Sequence, residues 1–161
     1  MMMSNKIGVV ETPLEIANLM VELSTVEKKA LVLDTGCGRG IFLQALKNKG
    51  YENVYGIEID RELYEYCNRS FWKDFKIILS DFLTYTFNQK FDLIIGNPPY
   101  VHFNQLPPEI ANIVKKVIKT SEGDIYYAFI IKSISLLRDG GELIYIVPYH
   151  FFYNTYAKCV R

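Results

Sequence analysis

This sequence predicts a doubly wound, mostly parallel α/β sheet of the Rossmann-like kind. Three observations carry the prediction. Short apolar runs that read as buried strands alternate with longer segments at helical spacing, a glycine-rich turn follows the first of those strands, and an acid or an asparagine closes four of them. Strands separated by helices at this spacing pair in parallel through right-handed crossovers. Ligands of such sheets bind beyond the carboxyl ends of the strands, where Asp34, Glu58, Asp81 and Asn97 stand.

Taken in order, TPLEIANLMVELS places Leu14, Ile16, Ala17, Leu19, Met20 and Leu23 at helical spacing, with Thr12 as N-cap and Pro13 at the first helical position. ALVLD is a buried strand ending at Asp34. The turn TGCGRG leads into the helix IFLQALKNKG, which Gly50 stops. NVYGIEID is the second strand, RELYEYCNRSF the next helix, and FKIILSDF the third strand. FDLIIG is the fourth, and it must stop at Gly96, because neither Pro98 nor Pro99 has an N–H to give a ladder. PPEIANIVKKVIK is a helix with proline in its first turn, and DIYYAFIIKSISLLR is a longer one ended by Asp139-Gly140-Gly141. ELIYIVP supplies the fifth strand.

The bulk numbers narrow the class. With 161 residues, half of them hydrophobic, the chain suits one domain with a proper core. No apolar run reaches bilayer length and the first residues lack the apolar centre of a secretion signal, so the expected place is the cytoplasm, with no membrane partner. The cysteines Cys37, Cys67 and Cys159 form no CxxC pair and read as free thiols; His102 and His150 are the two imidazoles, so no metal is expected. The formal charge of zero is not that of a protein that grips a nucleic-acid backbone by itself.

In DTGCGRG, Gly36, Gly38 and Gly40 crowd the turn after the first strand and let a ligand approach the backbone. The third glycine follows the second by two positions, where the dinucleotide fingerprint has three, which argues against NAD. Glu58 can accept from two ribose hydroxyls, Ile59 offers a purine an apolar wall, and Asp81 with Phe82 offers an acceptor and a ring to an adenine. Past the fourth strand, Asn97, Pro98, Pro99 and Tyr100 read either as a stiff turn or as a preorganised carboxamide, carbonyl and aromatic ring.

Together, DTGCGRGIFL, GIEID, SDFL and IIGNPPY resemble the S-adenosylmethionine-dependent methyltransferases that act on exocyclic amino groups. With VVETPLEIANLM before and DIYYAFIIKSISLLRDGGELIYIVP after, nearly the whole chain is similar to the gamma-type, TaqI-like DNA adenine methyltransferases of restriction–modification systems. The resemblance implies S-adenosylmethionine as cofactor. Thr12 and Asp34 would hold its methionine end, Gly36 and Gly38 the loop beneath it, Glu58 the ribose, and Ile59, Asp81 and Phe82 the adenine, with Pro99 on the adenine side. It also implies that the Asn97 side-chain oxygen and the Pro98 carbonyl accept from the two hydrogens of an adenine amine, favouring a pyramidal nitrogen and stabilising its developing charge. Tyr100 would stack on the flipped base.

The same tetrad occurs in methyltransferases of protein glutamine and RNA guanine, and a cofactor-binding subunit inactive on its own is a further alternative. The ETP segment and the insert after the tetrad favour DNA adenine; in that insert Lys115, Lys116 and Lys119 form either a phosphate contact or a solvated face. Relatives of this type continue with an antiparallel strand pair and a separate DNA-recognition domain. Residues 1–161 are therefore expected to be an N-terminal catalytic part lacking those strands. DNA would be reached through a domain outside the chain, and the exposed sheet edge near ELIYIVP and YHFFY would invite self-association or a partner subunit.

Overall fold

The computed structural model describes residues 10–71, 73–118 and 124–152. Its elements run α1 (Leu14–Leu23), β1 (Leu31–Asp34), α2 (Ile41–Asn48), β2 (Asn53–Glu58), α3 (Arg61–Phe71), β3 (Lys76–Leu79), β4 (Phe91–Gly96), α4 (Pro108–Ile118), α5 (Tyr126–Leu136) and β5 (Leu137–Tyr145). The sheet order is β3-β2-β1-β4-β5 with every pairing parallel, as expected of a doubly wound fold. The winding reverses between β1 and β4, and the crevice at that switch point is where such sheets bind ligands.

Strand residues alternate between two cores, one on each face of the sheet. Val32, Val54, Leu93 and Ile95 pack with Ala17, Val21, Leu43, Leu46, Cys67 and Phe71 of α1, α2 and α3. Leu33, Ile57, Phe91 and Ile94 pack with Val114 of α4 and with Tyr126 to Ile130 of α5. Both faces being covered explains why these strands read as unbroken apolar runs.

Three local details depart from the sequence expectation. Pro13, not Thr12, occupies the N-cap of α1 and makes no side-chain cap hydrogen bond. The helix expected over DIYYAFIIKSISLLR runs from Tyr126 to Leu136, because Leu137 already pairs with Phe91. The next paired residue of β5 is Glu142, opposite Leu93, so Arg138–Gly141 is looped out as a bulge. Gly140 (φ 77°) and Gly141 make that bulge possible: a Cβ on Gly141 would stand 3.0–3.2 Å from the carbonyl oxygens of Arg138, Phe91 and Asp92. Arg138 Nη1 donates to both carboxylate oxygens of Asp92 (2.7 and 2.9 Å), and Asp92 Oδ2 accepts from the Leu31 N–H, tying the starts of β1, β4 and β5 together. Finally, β3 ends at Leu79, leaving Asp81 and Phe82 in the turn beyond it. Lys119 and Cys159 lie outside the described residues. Among the described residues no helix is long and apolar enough to cross a membrane.

Candidate active site

Asp34 ends β1, in register with Gly56 of β2 and Ile95 of β4, and is wholly buried. Its Oδ1 accepts from the Gly36 N–H at 3.3 Å, while Oδ2 is buried without a hydrogen-bond partner. Burial pushes the carboxyl up to about 7, the Gly36 N–H opposes the rise, and the charge of Glu58 adds to it. A buried carboxylate oxygen without a donor is uncommon in folded chains. Glu58, also buried, accepts from the Gly38 N–H at 2.7 Å through Oε2 and from the Ile59 and Asp60 N–H groups at 2.9 Å through Oε1.

The glycines of the turn have distinct tasks. A Cβ on Gly36 would meet nothing within 4 Å, so the backbone there is open to a ligand. Gly38, at φ 52°, aims its N–H at Glu58 and accepts from Cys67 Sγ at 3.0 Å through its carbonyl. Gly40 (φ 81°) caps α2, where a Cβ would stand 2.5 Å from Phe71 Cε2.

Asp81 organises the turn after β3. Its Oδ1 accepts from the Leu83 N–H at 2.8 Å, and its carbonyl accepts from the N–H groups of Thr84 and Tyr85 at 3.2 and 3.0 Å. Burial raises its carboxyl above the ordinary aspartate range. Lys132 of α5, absent from the sequence reading, donates to the Leu83 and Tyr85 carbonyls at 3.0 and 2.6 Å and lies 5.3 Å from the centre of the Phe82 ring. Phe82 itself is 3% exposed, its ring packed 5.0 Å from that of Phe129. Ile59, just past β2, is an exposed apolar group, 44% accessible.

The tetrad leaves β4 at Gly96. A Cβ there would stand 3.0 Å from Thr35 Oγ1 and 3.6 Å from Asp34 Oδ1, so Asn97 begins directly beside the buried carboxylate. Asn97 is half-buried; its Nδ2 donates to the Val10 carbonyl and to Thr12 Oγ1, both at 3.2 Å, and its Oδ1 accepts from the Tyr100 hydroxyl. The same hydroxyl reaches the Ile146 carbonyl at 3.0 Å. Burial pushes the Tyr100 hydroxyl up, keeping it a donor, and its ring stands edge-on to Tyr126, 6.1 Å between centroids at 79°. Pro98 is buried and Pro99 half-buried. Tyr145, paired with Gly96 across the ladder, joins Thr35 Oγ1 to Ser133 Oγ through its hydroxyl, at 2.7 Å each.

The structure thus gathers Thr12, Asp34, Gly36, Gly38, Glu58, Ile59 and Asn97 with Pro98, Pro99 and Tyr100 at the carboxyl ends of β1, β2 and β4, while Asp81 and Phe82 lie one strand further out. A concavity of about 330 Å³ at the other end of the strands is walled by residues such as Glu27, Lys29 and Asp139, and none of Asp34, Glu58 and Asp81 borders it. Among the described residues no three His, Cys, Asp or Glu side chains stand together as a metal site would require.

Comparison with known proteins gives the family and the fold. Residues 74–161 match the Eco57I restriction-modification methylase family. The chain is 38% identical over 155 residues to the type II methyltransferase M.HincII of Haemophilus influenzae, covering 93% of this chain and 29% of that protein. It is 36% identical over 154 residues to M.TthHB8I of Thermus thermophilus, covering 88% and 35%. A tRNA1(Val) (adenine(37)-N6)-methyltransferase of Actinobacillus pleuropneumoniae is 27% identical over 138 residues, covering 81% and 57%. The chain therefore spans about a third of the length of the type II relatives. Among solved structures, a class I S-adenosylmethionine-dependent methyltransferase fold from Listeria monocytogenes superposes with a TM-score of 0.76 at 20% identity, over 98% of this chain and 52% of that one. The likeness establishes the Rossmann-like methyltransferase fold.

Proposed function

The chain belongs to the Eco57I restriction-modification methylase family, and from that premise we propose that it is the catalytic part of a DNA methyltransferase of a restriction–modification system. It would move a methyl group from S-adenosylmethionine to the exocyclic amine of an adenine swung out of its duplex. One observation carries the reading: Asp34 Oδ1 stands 3.6 Å from where a Cβ on Gly96 would lie, and Asn97 is the next residue, so a buried carboxylate and a carboxamide stand together at the end of β4.

The residues fit the cofactor. Asp34 would take its ammonium group, with Thr12 at the same methionine end; Glu58, with one acceptor position left, would take a ribose hydroxyl, Ile59 would wall the purine, and Asp81 would accept from its amino group. Phe82 and Pro99 support that end of the crevice. The open backbone at Gly36 and the turn at Gly38 form the floor. When bound, the cofactor supplies an electrophilic methyl on a sulfonium. The chain supplies orientation: Asn97 Oδ1 and the Pro98 carbonyl accept the two amine hydrogens, hold the nitrogen pyramidal, and present fixed dipoles to the positive charge it develops. Tyr100, braced edge-on by Tyr126, offers its ring to the flipped base. The same arrangement serves any planar amine, and the tRNA relative makes an RNA adenine the second reading. DNA contact through a region outside this chain, a partner subunit or second copy on the β5 edge, and a cytoplasmic location belong to the same proposal.

The test pairs calorimetric binding of S-adenosylmethionine with methyl transfer to DNA, RNA and protein acceptors by a longer protein that carries this chain with its DNA-recognition region, for wild type, whose transfer must be measurable, and Asn97→Ala. Cofactor binding should survive the substitution while transfer to DNA falls by roughly a hundredfold or more, the loss expected of a contact made in the transition state. Equal transfer by both proteins removes Asn97 from the mechanism, and transfer to RNA alone selects the second reading.

A further inference from the structure

We infer that Thr12 is a positioning residue that acts through Asn97: the Val10 carbonyl, which can only accept, sets which way round the Asn97 amide stands, and the Thr12 hydroxyl accepts from the same Nδ2 and holds the amide at that angle, so that Oδ1 faces the amine. The inference rests on the reaction proposed above. It gives the Thr12 hydroxyl a task in the methyl-transfer step, distinct from the cofactor contact the family resemblance implies.

A carboxamide has two ends of nearly the same shape and opposite polarity, and half a turn about its last bond exchanges an acceptor for two donors. A turned Asn97 would point N–H groups at an amine that itself needs acceptors. Nothing within Pro98-Pro99 prevents the turn, because neither proline carries an N–H that could hold Oδ1 in place. The amide is oriented from other parts of the chain. The Val10 carbonyl can only accept, and it takes one hydrogen of Nδ2 at 3.2 Å; Thr12 Oγ1 takes the other at 3.2 Å; and the Tyr100 hydroxyl donates to Oδ1. In the turned amide, Oδ1 would face the Val10 carbonyl, acceptor against acceptor.

Thr12 suits this task. The N-cap of α1 is Pro13 and uses no side-chain hydrogen bond, so the Thr12 hydroxyl is spent on a residue 85 positions away. Thr12 is 9% exposed, which keeps water from substituting freely for its oxygen. Tyr100 divides its single proton between Asn97 Oδ1 and the Ile146 carbonyl, so an arriving amine can take over Oδ1 while the hydroxyl stays bonded to Ile146. The contacts at Nδ2 are therefore the ones that persist when the acceptor amine is in place.

Thr12→Val removes the hydroxyl at nearly constant shape, and Thr12→Ser restores it. In a protein that carries this chain together with its DNA-recognition region, at saturating S-adenosylmethionine, Thr12→Val should lower kcat for DNA about tenfold, the size of one hydrogen bond, over and above any loss of cofactor affinity, while KM for DNA stays within about threefold of wild type; Thr12→Ser should return kcat to within about threefold. An independent readout needs no acceptor. In 15N spectra of the chain, the Asn97 side-chain NH2 pair, assigned by its loss in Asn97→Ala, should move in Thr12→Val and return in Thr12→Ser. Thr12→Ala removes the same hydroxyl with less bulk if valine disturbs the fold. A valine variant whose only defect is weaker cofactor binding, or whose Asn97 amide signals stay put, overturns the inference. Amide signals that move in Thr12→Val, in a protein whose wild-type form methylates no acceptor even with its DNA-recognition region attached, would leave the positioning standing and remove the proposed reaction instead.

Discussion

Asp34→Asn should make the cofactor-free protein more stable, and increasingly so as the pH rises. The carboxyl is raised from 3.8 to about 7, chiefly by burial. Ionising it inside the folded chain therefore costs roughly 4 kcal/mol more than in the unfolded chain. The folded chain binds the extra proton between those two values, so the stability held by the protonated carboxyl is fully present below about pH 4 and is lost as pH climbs toward 7. Between about pH 5 and pH 7 the loss amounts to roughly 2 kcal/mol. Urea unfolding of wild type and Asp34→Asn at matched pH isolates this group, because Asp81, Glu22 and Glu142, whose carboxyls are also shifted, are common to both. The stability gap in favour of asparagine should widen by roughly 2 kcal/mol across that interval. S-adenosylmethionine should bind wild type more tightly as pH rises through about 7, where the ionised carboxyl meets its ammonium, and should bind Asp34→Asn weakly at every pH. A gap that stays flat from pH 5 to pH 7 would refute the burial of an unpaired carboxylate at the end of β1.

Two further perturbations test the frame around that carboxylate. Gly40→Ala places a Cβ 2.5 Å from Phe71 Cε2 in a residue at φ 81°, and Phe71 cannot easily give way because it is stacked on Phe75 at 6.1 Å; thermal or urea unfolding should show a loss of about 2 kcal/mol or more, and an alanine variant as stable as wild type would refute the packing. Lys132→Met withdraws the donor from the Leu83 and Tyr85 carbonyls, so the turn carrying Asp81 should loosen, with a stability loss of about 1–3 kcal/mol and weaker cofactor binding by calorimetry; both unchanged would show that Lys132 does not hold the turn.

What the sequence shows of this protein is what local chemistry determines. Two prolines stop β4 at Gly96 whatever lies around them, and the turn glycines and strand-end acids follow from backbone geometry and burial in the same way. The parallel order needs only the alternation of strands with helices. Less legible are the features that depend on partners remote in the chain. Thr12 reads as a helix cap because the residues beside it suit one, yet its hydroxyl is used 85 positions on. Phe82 reads as an available ring, and only the arrival of Phe129 and Lys132 from α5 draws it into the core. The Asp139-Gly140-Gly141 stop reads as a loop before a strand, whereas Leu137 already pairs with Phe91 and the stop is a bulge within β5.

The two acids at the switch point are not equivalent, and their hydrogen bonds rank them. A carboxylate offers about four acceptor positions. Glu58 fills three with the N–H groups of Gly38, Ile59 and Asp60, so it is oriented by the loop it also supports and keeps little capacity for a ligand's hydroxyls. Asp34 fills one, at 3.3 Å, and its second oxygen is sealed in the interior without a donor. Such an arrangement costs the fold stability and returns it only when a cationic donor arrives, because the same burial that raises the empty carboxyl strengthens its attraction for that donor. On the proposed function, Asp34 would be the residue at which cofactor affinity and fold stability are traded directly. Replacing Glu58 should disturb the glycine turn as well as the ribose contact, whereas Asp34→Asn should separate the two, giving a sturdier protein that binds S-adenosylmethionine poorly.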